Sequence, residues 1–391
     1  MEKFDVSIIG AGSIGGAVAY KLSQQGYKVA VIDKELHQNK HQTGRNSGVI
    51  HSGVYYPKNS LKSKTCLDGY GQLISFLKKF DLPYKITGKL IAAADESEYP
   101  ELDRLYKNAK EVGLNVDFFN AEQIREIDEN LISKRGFFVK ETGITDYKKV
   151  LDKFIELSRK NGAEFFFGSE VKTITKTENF TQVETKRQKF KTKQIINCAG
   201  LQADRVYSLL TKEKPPVKIV PFKGEYFHVK PKAYNSDIPV YPVPNPNFPF
   251  LGVHLTKMID GTLKVGPNAV LSFSQEGYEG VEINLKDSAE TFTNKALFNI
   301  ARRYSKTVTK ELLKQGSKKY FKKNVRKYWS KFVLKLINGY SCGIRAQATA
   351  DGELIKDFWI ETFENQVHVL NAPSPAATSC LAIADTVIEK L

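Results

Sequence analysis

The chain has 391 residues but only four cysteines, Cys66, Cys198, Cys342 and Cys380, and no CxxC pair among them. That spacing argues against a zinc ribbon or a redox dithiol and leaves buried free thiols as the expectation. No run of 18 apolar residues occurs, so no membrane-spanning helix is expected. The opening MEKFDVSIIG has no basic flank or cleavage site, which points to the cytoplasm or a membrane surface facing it. Repeats and low-complexity tracts are missing as well. Acidic residues are scarce in one place: from Ala301 to Leu336 there are thirteen Lys or Arg and a single acid, Glu311. Most of the net charge of +16 resides there, and the remainder of the chain is close to balanced.

What is present begins with glycine and a buried-strand pattern. DVSIIG reads as a strand, SIGGAVAYKLSQQ carries Ile14, Val18 and Leu22 at helical spacing, and VAVID reads as a second strand. Gly10-Ala11-Gly12-Ser13-Ile14-Gly15 joins the first two as a GxGxxG. The spacing alone is a weak signal; the strand before it and the helix after it supply the required context. The first glycine makes the turn, the second admits a pyrophosphate, and the third lets helix and strand pack closely. The helix N-terminus then offers N–H groups and a positive dipole end. Asp33 ends the second strand, where an acid accepts from ribose hydroxyls. A purely structural turn is the competing reading, and the fingerprint does not separate NAD from FAD. KQIINCAG (193–200) bears on that choice. It is a buried strand ending in a small-residue turn, and a cofactor as long as FAD needs contacts from many segments.

Strands and helices alternate along the rest of the chain. Residues 215–275 are strand-like and proline-rich, YPVPNPNFPF reads as a loop, and 286–337 read as helical and basic. The pattern predicts an α/β protein. A Rossmann-like nucleotide domain is assembled from residues 1–82, 141–212 and 338–391. An inserted α+β domain with a mainly antiparallel sheet takes 83–140 and 213–337. HQTGRNSGVIHSGVYY (41–56) is too rich in glycine and polar groups for a plain strand or helix.

The stretches IIGAGSIGG, HQTGRNSGVIHSGVYY, ETGITDYKKV, INCAGLQADR, KIVPFKGEYF, YPVPNPNFPFLGVHLT, KVGPNAVLSF, GIRAQATADGELIKDF and NAPSPAATSCLAIADTV cover the chain nearly end to end. In them it resembles the L-2-hydroxyglutarate dehydrogenase/oxidase family, within the FAD oxidoreductases similar to D-amino-acid oxidase. The basic segment 301–336 departs from that pattern. The resemblance implies a two-domain fold, FAD, and oxidation of L-2-hydroxyglutarate to 2-oxoglutarate with electrons passed to a quinone or oxygen. A flavin amine or amino-acid oxidase, and a non-catalytic basic protein on a nucleotide fold, are the alternatives.

Such chemistry moves a hydride from C2 to the flavin and the hydroxyl proton to a base, usually histidine near neutral pH. His51 and His254 are the candidates, and neither is preferred. Arg345 suits a carboxylate through its bidentate fork. Lys223 is expected to bind the second carboxylate or to poise flavin and oxygen chemistry, with a solvated lysine an equal reading. Tyr56 and Tyr241 are candidate hydroxyl donors, with core packing equally open. The expected cofactor residues start with Gly10, Gly12, Ser13, Ile14, Gly15, Asp33 and Lys34. They continue with Thr43, Arg45, Asn46 and Ser47, then Val171, Ala199 and Gly200, with Arg345 touching both ligands. Ser374, Pro375 and Ala376, ahead of the last helix, are expected near the flavin pyrimidine carbonyl. No metal is expected.

SKKYFKKNVRKYWSKFVLKLI interleaves Lys and Arg with aromatics at three- and four-residue spacings. An amphipathic helix lying on an anionic membrane, close to a quinone, is one reading. Packing on the second domain is the other. Nucleic acid ranks below both.

Overall fold

The computed structural model describes residues 2–245, 252–280, 282–303 and 317–391. In its first sheet the strand Glu2–Ile9 runs parallel to Val29–Ile32 on one side and Lys189–Asn197 on the other. Glu164–Phe166 extends the sheet beyond Val29–Ile32, and Gln366–Asn371 continues it beyond the end of Lys189–Asn197. Successive side chains go to opposite faces. Val29 and Val31 pack beneath the helices Ser13–Gln24, Tyr147–Lys160 and Cys380–Ile388. Ala30 and Ile32 pack on the other side with Val183, Phe190 and Leu210. Burial on both faces is why VAVI is apolar throughout rather than alternating.

The second sheet has ten strands. Lys218–Val229 pairs antiparallel with nearly the whole of Ile337–Ala350. Leu263–Gly266, His254–Lys257, Val240–Pro242, Lys89–Ala92, Arg135–Val139 and Val116–Asn120 follow in that order. Every pairing is antiparallel except that of Val240–Pro242 with Lys89–Ala92. A small third sheet, Val49–Ile50, Gly143–Thr145 and Tyr84–Ile86, ties the segments that cross between the two.

Two boundaries differ from the sequence expectation. Ile337–Ala350 belongs to the second sheet, so the last crossing falls near residue 355 rather than 338. The alternation in GYSCGIRAQATA announces a strand but not its partner, which is a long-range choice. The final helix is Cys380–Ile388, later than the start near Ala376 that the apolar run ATSCLAIADTV suggests, because residues before it are held in turns, with Ala376 N–H donating to Pro373 O.

The basic segment is only partly described, since 304–316 lie outside the described residues, as do 246–251 of the proline-rich loop. Lys318–Val325 is a helix, and the chain then turns. Phe321, Val325, Tyr328, Trp329 and Phe332 are all buried in one cluster with Phe227, Leu255, Leu263 and Val265 of the second sheet. Those aromatics form a core face, not a surface available to a membrane. The cations Lys318, Lys319, Lys323, Arg326, Lys327, Lys331 and Lys335 are exposed on the outside, with Val333 and Leu334 beside them.

Trp329→Ala is expected to cost about 3–5 kcal/mol of stability, the usual range for emptying a buried aromatic site. Urea denaturation of the holoprotein measures it. A loss within about 0.5 kcal/mol, typical of surface positions, would contradict a core role.

Candidate active site

A cavity of about 1480 Å³ lies against both sheets. Clefts for drug-sized ligands run to roughly 300–1,000 Å³, so there is room for a long cofactor together with a small substrate. At one end stands the GxGxxG. Gly10 has φ +105°, and a Cβ there would collide with the Cys198 carbonyl. A Cβ on Gly15 would overlap the Gly10 carbonyl oxygen. A Cβ on Gly12 would meet only Thr43 Oγ1, at 3.6 Å. Gly10 and Gly15 are therefore demanded by the fold itself, whereas the protein alone makes no such demand at Gly12, which faces the cavity. The helix that follows has no side-chain N-cap and no acid in its first turn. Its positive end is left for an anion, as a dinucleotide pyrophosphate requires.

Asp33 accepts from Ala11 N–H (2.7 Å) and Glu35 N–H (2.8 Å), which fixes its carboxylate at the cavity edge. Lys34 also lines the cavity, but its amine bridges Glu35 and Glu276. Thr43 Oγ1 accepts from Ser13 N–H at 3.0 Å and so tethers the polar stretch to the helix start. Arg45 donates to the Lys40 carbonyl and lies over the Tyr278 ring. Asn46 donates to the Thr43 carbonyl and accepts from Gly48 N–H, holding the loop's own shape. Ile14, Ser47, Val171, Ala199, Gly200, Ser374, Pro375 and Ala376 all line the cavity, while Gly15 packs behind it. These residues fit FAD stretched from the GxGxxG to the turn before the last helix.

The substrate wall comes from the polar stretch and the second sheet. His51, Tyr56, Tyr241, His254 and Arg345 are all brought to it. His51 follows the short strand Val49–Ile50, and its N–H donates to Thr378 Oγ1 (3.0 Å). Tyr147 donates to Val49 O, so Thr378 donates to Tyr147, and one chain of bonds fixes the His51 backbone. His51 Nε2 lies 3.4 Å from Ser374 Oγ. His254 stacks on Tyr241, with centroids 3.8 Å apart and planes 11° apart. His254 Nδ1 donates to the Gly252 carbonyl (3.1 Å), which leaves Nε2 as the lone-pair nitrogen of the neutral ring. That Nε2 is buried without a partner among the described residues. Burial brings the pKa of both histidines down to about 3. The cations Lys89 and Lys62 add to the effect at His51. At His254 the Gly252 bond opposes it and Arg345 reinforces it. Both imidazoles are neutral near pH 7, the form that accepts a proton.

Lys223 is not brought to the wall. Its Nζ donates to the Gly280 carbonyl at 2.7 Å and it is absent from the cavity lining, which corrects the carboxylate role expected for it. Its neighbour in the strand alternation faces the other way, a difference that KIVPFKGEYF does not reveal. Asn371 likewise turns inward, donating to the Ile355 and Asp357 carbonyls. Sequence reasoning passed over Lys62, which lines the cavity, and Lys89, which lies behind it. It also passed over Thr378 and Tyr147. The one signal for Lys89 is a lysine opening the otherwise apolar run KLIAAA.

The chain belongs to the FAD dependent oxidoreductase family, which it matches over residues 5–390. It is thus an FAD-dependent oxidoreductase. Within that class it is similar to proteins named L-2-hydroxyglutarate dehydrogenase. The one from Indibacter alkaliphilus is 40% identical over 99% of this chain and 98% of its own length. That of Escherichia coli K12 is 34% identical over 99% and 93%. The mitochondrial one of Homo sapiens is 33% identical over 100% and 89%. Among solved structures, L-alpha-glycerophosphate oxidase from Mycoplasma pneumoniae with FAD bound has a TM-score of 0.81 at 22% identity, covering 100% of this chain and 95% of that one. Glycine oxidase from Geobacillus kaustophilus reaches 0.74 at 15% identity, with the same coverage. These two share the fold.

The glycines separate folding from cofactor binding. Gly12→Ala is expected to keep the circular dichroism of the parent but to weaken FAD binding roughly 10-fold or more, by obstructing the pyrophosphate. Gly15→Ala should lose both, because its clash is with backbone. Flavin absorbance per protein checks the first claim, and full flavin content in Gly12→Ala would refute it.

Proposed function

We propose that this chain oxidises L-2-hydroxyglutarate to 2-oxoglutarate and passes the electrons to a quinone or oxygen. The observation that carries the reading is the wall itself: neutral His51 and His254 stand among Arg345, Lys62 and Lys89, a setting for a dianion bearing an ionisable hydroxyl. Bound FAD supplies the hydride acceptor for C2. The chain's own residues bind the two carboxylates, orient C2 and take the hydroxyl proton.

His51 is the base in this reading. It keeps part of its surface in the cavity, and its ring faces the Ser374 turn expected beside the flavin. His254 is buried against Tyr241 and orients the substrate from behind. Arg345, beside Tyr226 and Tyr241, takes a carboxylate. A pKa of about 3 makes a weak base in the free enzyme. The arriving dianion favours imidazolium and raises it. An anionic membrane, if it is a partner, is met by the exposed lysines of 318–331 through charge alone, so vesicle binding is lost in high salt.

Three outcomes test this. Under anaerobic conditions L-2-hydroxyglutarate bleaches the flavin, and the D isomer and L-amino acids do not; an unbleached spectrum refutes the substrate assignment. His51→Ala slows that reduction on the order of 100-fold or more, the low end of general-base contributions. His254→Ala acts mainly on KM, and the reverse pattern would exchange the two roles. In stopped flow, reduction is lost as pH falls and the base is protonated. The acid limb at saturating substrate lies at higher pH than that of the second-order rate, because the dianion raises the histidine pKa. Coincident limbs would contradict the electrostatic argument.

A further inference from the structure

Lys89 opens the strand Lys89–Ala92 and is fully buried, yet its Nζ has no hydrogen-bond partner among the described residues. The amine stands 4.6 Å from the centroid of the Tyr55 ring and 4.9 Å from that of Tyr241. Both rings line the cavity, so Lys89 sits one layer behind the substrate wall. The groups that face it are these two phenols, the Cys66 thiol on the helix Leu61–Lys79, and the imidazoles of His51 and His254. None is an anion near neutral pH. Burial holds both phenols well above their ordinary pKa and the thiol at about 12, and the imidazoles are neutral. Lys62, on the same helix, is a further cation and gains no ion pair within 4 Å among the described residues. Ring faces attract an ammonium but do not neutralise it. A buried amine left this way is drawn down to about 7 by its desolvation. Two other polar atoms of the same wall, Tyr55 Oη and His254 Nε2, are also buried without partners among the described residues. Native interiors rarely leave such groups together unless a ligand completes them.

We propose that the dianionic substrate is the missing counter-charge of Lys89, so that a dicarboxylate binds together with one proton taken up by this amine. The inference rests on the dicarboxylate reading of the cavity and names Lys89 as the residue that makes the site select for two negative charges. It acts through the Tyr55–Tyr241 wall and is a positioning residue. Its charge, completed as the dianion arrives, adds to the burial that already holds His51 and His254 neutral.

Glutarate, a dicarboxylate with no hydroxyl to oxidise, and pentanoate, its monocarboxylate counterpart, are titrated into the oxidised holoprotein from about pH 6 to about pH 9. Flavin absorbance reports binding. The glutarate Kd is expected to rise by up to about tenfold per pH unit above about 7, the slope for one coupled proton. Pentanoate is expected to change by roughly threefold or less over the same span. Lys89→Met keeps the stem and removes the charge. Its glutarate Kd is expected to be flat from about pH 6 to about pH 8 and, at about pH 6, roughly 100-fold weaker than the parent's, as for truncating one partner of a buried charge pair. Above that range the Lys62 amine of the cavity lining, drawn down to about 8 by its burial, titrates in every variant. Lys89→Arg keeps a charge that does not titrate, so binding is flat over the same range and stronger than the parent's near pH 8. A parental curve that stays flat between about pH 7 and about pH 8, or a slope retained there in Lys89→Met or Lys89→Arg, overturns the proposal. Bleaching by L-2-hydroxyglutarate with a flat glutarate curve removes the Lys89 coupling alone. The expected slopes without bleaching remove the substrate assignment and leave the coupling standing. A holoprotein that binds no glutarate overturns both.

Discussion

The buried amine of Lys89, without a hydrogen-bond or ion-pair partner among the described residues, is the constraint around which the substrate side of this protein is arranged. An isolated ammonium in a low-dielectric interior is expensive, and proteins ordinarily neutralise it by pairing or by releasing its proton. Lys89 has two ring faces instead of a carboxylate. Arg345 is half-buried at the cavity wall near Tyr226 and Tyr241. Burial acts on the histidines as well, so the wall holds cationic and neutral basic groups side by side. A cavity of that kind discriminates by charge before it discriminates by shape.

The cofactor side uses the same physics with backbone in place of side chains. The uncapped start of Ser13–Gln24 presents a partial positive charge, and Gly12 leaves the approach to it clear. Thr43 and Thr378 join the two sides. One bonds the helix start and the other the His51 N–H, so the stretch from 41 to 56 is pinned at both ends. Its glycines and polar residues serve that path: Asn46 shapes the bend, and Val49–Ile50 makes a short strand whose far end delivers His51. What looks in sequence like a cluster of reactive groups is largely scaffolding for one imidazole.

The cofactor end was legible because its logic is local. GxGxxG, the strand before it, the helix after it and Asp33 lie within 33 residues, and each has a steric or electrostatic reason that holds in any fold of this kind. The substrate wall was legible only in part. His51, His254 and Arg345 stand in distinctive stretches, but which side of a strand a lysine faces depends on register. Lys223 and Lys89 are both lysines in apolar strands. One points to the Gly280 carbonyl and the other to the tyrosines behind the wall, and only the pairing of distant strands decides it. The crossing near 355 rather than 338 was hidden for the same reason.

The basic segment shows how one periodic pattern serves two environments. Aromatics at three- and four-residue intervals among lysines describe a helix that lies on lipid as well as one that lies on a sheet. The difference is whether an apolar surface is already waiting. Here Phe227, Leu255, Leu263 and Val265 present one, and Phe321, Trp329 and Phe332 cover it. That places the lysines on the outer face by necessity, because the inner face is taken. Their charge is therefore a consequence of packing before it is a sign of any partner, and it need not share the origin of the charge buried around Lys89 and Arg345. The first is solvated and screened by salt. The second is largely shielded from water and is little screened from whatever enters the cavity.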